Sequence, residues 1–291
     1  MRDELNRRDF ARAAAAGLVG LPAVARSLAA AEPAEKKEAV WPLYAFGNGL
    51  GTVRTIEDKC KLLADLGYAG IEHNLGGDLA KMIECLDKHG LVLNAVYTVP
   101  MLEDFVPASW AESIKQMKCR PTRIEMGIRS KQFKASATEG DEKAAELMKA
   151  VSDLCADTGP VVSVYPHTGF WTERVDDGIR LAKLIGRKNV GTNFNLVHWY
   201  WVKEPRPVEV VLKEAAPYLK TVTINNGTKA GRKIASLDEG DYDLVGVMTA
   251  VKQIGYTGMV GLQGYSVPGP SEVHLKRSMD AWKKLRKELG V

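Results

Sequence analysis

Short apolar runs alternate with segments of helical spacing from residue 40 to the carboxyl end of the chain. The apolar runs have the length of buried strands, and the segments between them repeat apolar side chains at intervals of three and four residues. The pattern predicts strands over 40–47, 70–74, 91–99, 123–128, 161–166, 190–197, 221–226 and 259–264. It predicts helices over 55–68, 78–89, 109–118, 141–157, 172–185, 207–219, 242–254 and 271–289.

Eight β/α units within about 250 residues are the size and number of one closed barrel. A doubly wound open sheet usually stops at five or six strands, and its glycine-rich phosphate turn is missing from this sequence. The predicted fold class is therefore α/β, a single (β/α)8 TIM barrel over residues 40–291.

The first 31 residues have the pattern of an export signal. Arg7, Arg8 and Phe10 resemble a twin-arginine motif, an apolar stretch covers 13–25, and small residues at 29–31 suit cleavage. The stretch is too short and alanine-rich for a stable membrane span. We expect a twin-arginine signal peptide over 1–31, a disordered lead-in over 32–39 and a periplasmic protein; a basic amphipathic helix on the mature protein is the alternative.

Charge gives no sign of a nucleic-acid partner. The formal net charge is +4, and residues 1–31 hold five arginines against three acidic residues, which leaves only +2 for the remainder. A polyanion normally needs a clustered basic face. We therefore expect a small-molecule partner.

Polar and aromatic side chains follow the predicted strands, at the carboxyl-terminal end of the barrel, where the active sites of TIM barrels lie. Amides satisfy hydroxyl donors and acceptors together, and aromatic rings cover C–H faces, so this lining suits a carbohydrate. The candidate binding residues are Glu72, His73, Tyr165, Asn193, Asn195, Trp199, Thr223, Asn225 and Gln263, and the candidate catalytic residues are Glu125, His167 and His198.

The sixth strand carries the densest set of these residues. Asn193 and Asn195 have the same parity, so both should point to one side of the strand. We expect His198, Trp199 and Tyr200 in the loop that follows, with Trp199 at the site and Trp201 in the packing against the helices.

Four stretches resemble the xylose isomerase-like TIM barrels, which include sugar phosphate isomerases and epimerases. They are LADLGYAGIE at 63–72, NFNLVHWYW at 193–201, LDEGDYD at 237–243 and GYTGMVGLQGY at 255–265. The resemblance extends over the chain after residue 39. It implies isomerase or epimerase chemistry on a sugar, and His198 matches a family histidine that usually contacts the substrate.

The resemblance also implies one divalent metal, held by Glu, Asp, His and Glu on the fifth to eighth strands. The matching positions are Tyr165, Asn195, Thr223 and Gln263, which are all neutral. A hard cation needs anionic oxygens or imidazoles, and a glutamine cannot act as a general base. We therefore expect no metal ligands at these positions and no cofactor.

Several residues keep two interpretations. His167 and His198 could form a replacement metal site with His73 or Glu125, or could hydrogen-bond sugar hydroxyls. Glu72 or Glu125 could be a proton-transfer base with a raised pKa, or a structural partner of an arginine.

Other polar residues also have two interpretations. Lys229 and Arg232 could receive a phosphate or carboxylate, or could be solvated loop charges, while Asp241 and Asp243 are expected to cap the next helix. Cys60, Cys85, Cys119 and Cys155 lack the close spacing of a zinc or redox motif and are expected to be buried.

Two functions follow from these observations. The first is an exported, metal-free isomerase, epimerase or lyase, in which His167, His198 or Glu125 takes a proton beside a carbonyl. Asn195, Asn225 and Gln263 would then hold the enediol. The second is a non-catalytic sugar-binding barrel. An endonuclease is disfavoured, because the sequence lacks the multi-zinc ligand set and the basic groove.

Overall fold

The computed structural model describes residues 40–291, and the predicted signal peptide and lead-in lie outside this range. Residues 40–291 form one compact unit. None of the helices in the described range is long and apolar enough to cross a membrane.

Eight parallel strands close into a barrel, in which each strand pairs with its neighbours in chain order and the last pairs with the first. The barrel strands are β1 (Leu43–Phe46), β2 (Gly70–Asn74), β3 (Val92–Thr98), β4 (Arg123–Met126), β5 (Val161–Val164), β6 (Val190–Asn195), β7 (Leu219–Ile224) and β10 (Val260–Leu262). A short antiparallel hairpin, β8 (Asn226–Thr228) and β9 (Lys233–Ala235), follows β7. The TIM barrel that the sequence pattern predicts is confirmed.

Helices connect the strands. They are α1 (Ile56–Leu66), α2 (Leu79–Lys88), α3 (Ala111–Gln116), α4 (Asp141–Cys155), α5 (Val175–Ile185), α6 (Leu196–Trp201), α7 (Val208–Ala215), α8 (Leu244–Gln253) and α9 (Ser271–Glu288). Asp243 caps α8 as predicted, since its Oδ1 accepts a hydrogen bond from Gly246 N at 2.8 Å. Asp241 does not cap this helix; its Oδ1 accepts from Lys229 N at 2.7 Å.

The sixth strand ends two residues earlier than predicted, and a helix replaces the expected loop. Asn195 Oδ1 accepts a hydrogen bond from His198 N at 3.4 Å, so Asn195 is both the last strand residue and the N-cap of α6. His198, Trp199 and Tyr200 therefore lie on a helix, where side-chain directions change by about 100° per residue.

The hairpin was not predicted, because two strands of three residues carry too little alternation to be seen in the sequence. Asn226 holds it in place: its Oδ1 accepts from Gly227 N and Tyr242 N, and its Nδ2 donates to Leu237 O. The hairpin places Ile234 at the carboxyl-terminal mouth of the barrel.

A large residue lies opposite a small one where β1 pairs with β10, because Tyr44 is the register partner of Gly261. Tyr44 fills the space beside Gly261, where a Cβ atom would lie only 2.6 Å from the tyrosine ring.

We expect Gly261→Ala to lower the free energy of unfolding by about 1–3 kcal/mol, because an overpacked core must shift. Gly51→Ala is the matched control, since its φ is −61° and no atom lies within 4 Å of the new methyl group. Denaturant titration of both variants tests this, and equal midpoints would contradict it.

Candidate active site

A cavity of about 360 Å³ opens at the carboxyl ends of the barrel strands. It receives side chains from β1, β2, β3, the residues after β5, α6, the hairpin and the residues after β10. The lining residues are Phe46, Asn48, Glu72, Tyr97, Tyr165, His167, His198, Trp201, Ile234, Gln263 and Tyr265. Two larger cavities, of about 430 and 440 Å³, lie beside Arg123 and Lys220 at the opposite end of the barrel and between α8 and α9. Neither of these is lined by a histidine, so the mouth is the candidate site.

Tyr165 is the centre of a hydrogen-bond network in which the donor and acceptor of each bond are defined. Its hydroxyl oxygen accepts hydrogen bonds from Asn195 Nδ2 and, at 3.3 Å, from Gln263 Nε2. Backbone N–H groups orient both amides, because His198 N donates to Asn195 Oδ1 and Tyr265 N donates to Gln263 Oε1. Since the tyrosine oxygen accepts twice, its proton is left to donate to a ligand in the cavity. Burial raises the pKa of Tyr165 well above its usual value, which keeps the hydroxyl protonated.

His167 and His198 lie side by side, with ring centroids 4.0 Å apart. His167 Nδ1 lies 2.9 Å from the carbonyl oxygen of Thr168, which only accepts, so Nδ1 carries the proton and Nε2 is a lone pair. His198 Nδ1 accepts from Thr168 N at 3.3 Å, so the proton of the neutral ring is on Nε2. Thr168 thus fixes opposite tautomers in the two rings. Nε2 of His167 is a proton acceptor, and Nε2 of His198 is a hydrogen-bond donor.

Both imidazoles are held in the neutral form. Burial lowers the pKa of His167, and the nearby Arg129 acts in the same direction. Burial and the neighbouring His167 lower the pKa of His198 well below its usual value. The opposite tautomers therefore persist at neutral pH, and His167 Nε2 is available to accept a proton.

Glu72 is the carboxyl group of this cavity. Its Oε2 accepts a hydrogen bond from Gly47 N at 3.0 Å, and the residue is 5% exposed. Burial raises the pKa of Glu72 to about 8, although the Gly47 hydrogen bond opposes the shift. The group is therefore mostly a neutral carboxylic acid at pH 7 and can donate a proton.

Glu125 lies deeper in the barrel and does not line the cavity. Both of its carboxyl oxygens and the nearby Asn193 Nδ2 are buried without a hydrogen-bond partner among residues 40–291. Burial and the charge of Glu72 raise the pKa of Glu125 well above its usual value. Because it is enclosed, Glu125 cannot reach a ligand in the cavity, which removes the geometric basis for a catalytic role.

The alternative that Glu72 and Glu125 pair with an arginine is also not observed. Within the described part of the chain neither forms a salt bridge. Arg123, whose charge acts on Glu125, donates instead to Lys220 O at 3.0 Å and to Asn94 Oδ1 at 2.8 Å.

Six predicted binding residues do not line the cavity: His73, Asn193, Asn195, Trp199, Thr223 and Asn225. Asn193 accepts from the Ser163 hydroxyl inside the barrel, and Thr223 Oγ1 donates to Phe194 O at 3.4 Å. Asn225 Nδ2 donates to Asn226 O at 2.7 Å. His73 Nε2 pairs with Asp78 Oδ1 at 2.9 Å beside a neighbouring cavity of about 310 Å³.

The two tryptophans of α6 exchange their expected places. Trp199 packs beside Pro166, Arg174 and Val211, outside the candidate site. Trp201 lines the cavity, with its ring 5.8 Å from that of His198. The spacing of three residues puts His198 and Trp201 on one helical face, so a helix prediction from the Asn195 cap would have found Trp201.

Exposed cations stand over aromatic rings near the mouth. Arg232 lies 5.8 Å from the Trp201 ring centre, and Lys229 lies at the same distance from that of Tyr200. Such cation–π contacts hold the hairpin tip against α6. No lysine or arginine lines the cavity itself.

The residues at the family's metal-ligand positions do not fit a metal centre. Tyr165, Asn195 and Gln263 are bonded to one another, and Thr223 contacts a backbone carbonyl. None supplies an anionic oxygen or an imidazole, the donors that such a centre needs.

A replacement site from the histidines is not assembled either. Among residues 40–291, the mouth of the barrel brings together no three His, Cys, Asp or Glu side chains with donor atoms within 4.8 Å of one another. His73 is occupied by Asp78, and Glu125 is enclosed below the cavity.

Comparisons with known proteins agree with this fold. The D-allulose 3-epimerase from Methylomonas sp. is 14% identical, with a TM-score of 0.69 over 84% of this chain and 98% of its own. The E. coli 3-keto-D-glucoside 4-epimerase is 14% identical, with a TM-score of 0.67 over 85% and 99%. The IolI protein, solved with a zinc atom, is 13% identical, with a TM-score of 0.72 over 85% and 99%.

At these identities the structural likeness shows the shared fold. No curated protein matches the sequence. The sequence profile described as xylose isomerase-like TIM barrel matches residues 60–285, which is most of the chain. The chain therefore belongs to the xylose isomerase-like TIM barrel family.

Proposed function

We propose that this protein is a sugar isomerase or epimerase that moves a proton at the carbon beside a carbonyl, without the family's divalent metal. The observation that carries the proposal is one cavity with two fixed donors, the Tyr165 hydroxyl and His198 Nε2–H, beside a fixed acceptor, His167 Nε2. The epimerases among the structural neighbours support this reaction class.

The three groups have complementary roles. The substrate carbonyl oxygen accepts from Tyr165 and His198, which stabilises the negative charge that develops there. His167 Nε2 takes the proton as the C–H bond breaks, that electron pair forms the C=C bond of the enediolate, and the π electrons of the carbonyl move onto its oxygen. Return of a proton to the opposite face of the same carbon gives the epimer. Return to the former carbonyl carbon, with transfer of the hydroxyl proton between the two oxygens, gives the isomer. The neutral Glu72 carboxyl, which comes from β2 and lines the same cavity, is a second proton donor.

The shape and lining of the cavity support a carbohydrate substrate. Its volume of about 360 Å³ is in the range of small-molecule sites. Phe46, Tyr97 and Trp201 offer aromatic faces for the C–H surface of a sugar, and Asn48 and Gln263 offer amides for its hydroxyls. The twin-arginine export and periplasmic location expected from residues 1–31 remain part of this proposal.

Hydrogen exchange with solvent tests the proposal directly. Protein treated with a chelator is incubated in deuterated water with a panel of ketoses and aldoses, and deuterium incorporation beside the carbonyl is followed by NMR. We expect incorporation in proportion to protein concentration, and no gain when Mg²⁺, Mn²⁺ or Zn²⁺ is added back.

Two other results would overturn the proposal in different ways. Incorporation only after a metal is restored would indicate the family's metal mechanism. Thermal stabilisation by a sugar without any incorporation would indicate a non-catalytic sugar-binding barrel, the function that the neutral ligand positions favour as the alternative.

A further inference from the structure

A cluster of metal-binding side chains lies away from the active-site cavity, between the first turn of α1 and the last turn of α2. Glu57 Oε2 lies 3.4 Å from Cys85 Sγ, and Glu57 Oε1 lies 2.9 Å from His89 Nε2. One donor atom from each of the three residues lies within 4.8 Å of the other two. Sequence spacing gave no sign of this, because Glu57 comes from a different helix.

The three donors are a thiol, an imidazole and a carboxylate, and together they match the ligand set of a borderline metal ion. Zn²⁺ binds such S, N and O donors in tetrahedral geometry and often keeps water in the fourth position. Cys85 and His89 are four residues apart at the end of α2, so they share one face. Glu57 is half exposed, which leaves the cluster open to solvent.

We propose that Glu57, Cys85 and His89 form a binding site for a thiophilic divalent metal ion of the Zn²⁺ type. Cys85 gives up its thiol proton when it ligates the ion, and water completes the coordination. The site would tie α1 to α2 and is independent of the proposed reaction. Further sulfur lies behind it, where Cys60 Sγ contacts Met82 Sδ at 4.0 Å.

Lys88 competes with the metal for Glu57. Its Nζ lies 2.7 Å from Glu57 Oε1, and its side chain is 64% exposed, so it can swing into solvent when an ion binds. Removing this ammonium group should therefore favour the metal.

Cobalt spectroscopy on the full-length protein tests ligation by sulfur. Co²⁺ should give a thiolate charge-transfer band that Zn²⁺ then removes by displacement, and a band of this kind cannot arise at the barrel mouth, which has no cysteine lining. Cys85→Ser should abolish the band, and His89→Gln should weaken Zn²⁺ binding by at least about tenfold. Cys119→Ser is the matched control. Cys119 is the exposed cysteine, where the expectation of burial was wrong, and its loss should change nothing.

Lys88→Gln is expected to change the Zn²⁺ affinity in the opposite direction. We expect Zn²⁺ affinity to rise by about two- to fivefold, because a competing surface ion pair is removed. Damage to folding could not produce a tighter site. A spectrum without the thiolate band, a band that persists in Cys85→Ser, or a loss of affinity in Lys88→Gln would overturn the proposal.

Discussion

Replacing His167 by glutamine is expected to slow deuterium incorporation into the sugar by about 10²- to 10⁴-fold, which is the usual contribution of a general base. Glutamine can still donate to the carbonyl of Thr168, as His167 Nδ1 does at 2.9 Å, so the local fold should persist. Its amide has no lone pair of useful basicity to take a proton from carbon. The measurement is the exchange rate at saturating sugar, together with ligand-induced thermal shifts to show that the sugar still binds.

His73→Gln is the matched control for this variant. His73 is also on the carboxyl-terminal side of the barrel, but it pairs with Asp78 and does not line the active-site cavity. Its replacement should leave the exchange rate within about twofold of the wild-type value, as for a residue without contact to substrate. Equal losses in both variants, or full activity in His167→Gln, would contradict the role given to His167.

The fold was predictable because each β/α unit carries its own pattern. An apolar run followed by an amphipathic segment must bury one face, and eight such units in sequence lead to a closed barrel. The parity of Asn193 and Asn195 also placed both side chains inside the barrel, where they contact Ser163 and Tyr165.

The site itself was predictable only in part, because strand ends do not show how deep a residue lies. Asn193 and Asn195 share a face, yet one is enclosed below the cavity and the other orients Tyr165. Glu125 likewise comes from a strand interior rather than from the rim. Depth depends on the tilt and register of the strands, which no single segment of sequence carries.

The tautomers of the two histidines could not be predicted at all. They depend on Thr168, whose carbonyl faces His167 and whose N–H faces His198, thirty residues further along the chain. The position of Trp201 in the cavity was not predicted, for a simpler reason. The predicted strand continues to residue 197, whereas Asn195 ends the strand and caps a helix.

Glu72 is expected to make the protein less stable as the pH rises. Its folded pKa is about 8 against an ordinary value of 4.5, so the folded state holds a proton that the unfolded chain has released. The stabilisation is complete below pH 4.5 and is lost as the pH rises towards 8. Each pH unit in this window costs about 1.4 kcal/mol, with an upper limit of roughly 4–5 kcal/mol over the whole range.

Glu72→Gln should remove this dependence, because the amide carries no titrating proton and still offers an oxygen to Gly47 N. Denaturant unfolding of both proteins across the window measures the difference in slope, and Glu139→Gln, an exposed glutamate, is the control. The variant should keep a residual slope in the same direction, since Glu125 is also a buried carboxyl group with a raised pKa. That slope should begin at the same pH, which the unfolded chain sets, and should end at lower pH than in the wild type, because the charge of Glu72 no longer opposes ionisation of Glu125. Parallel curves for Glu72→Gln and wild type would mean that Glu72 is ionised in the folded protein.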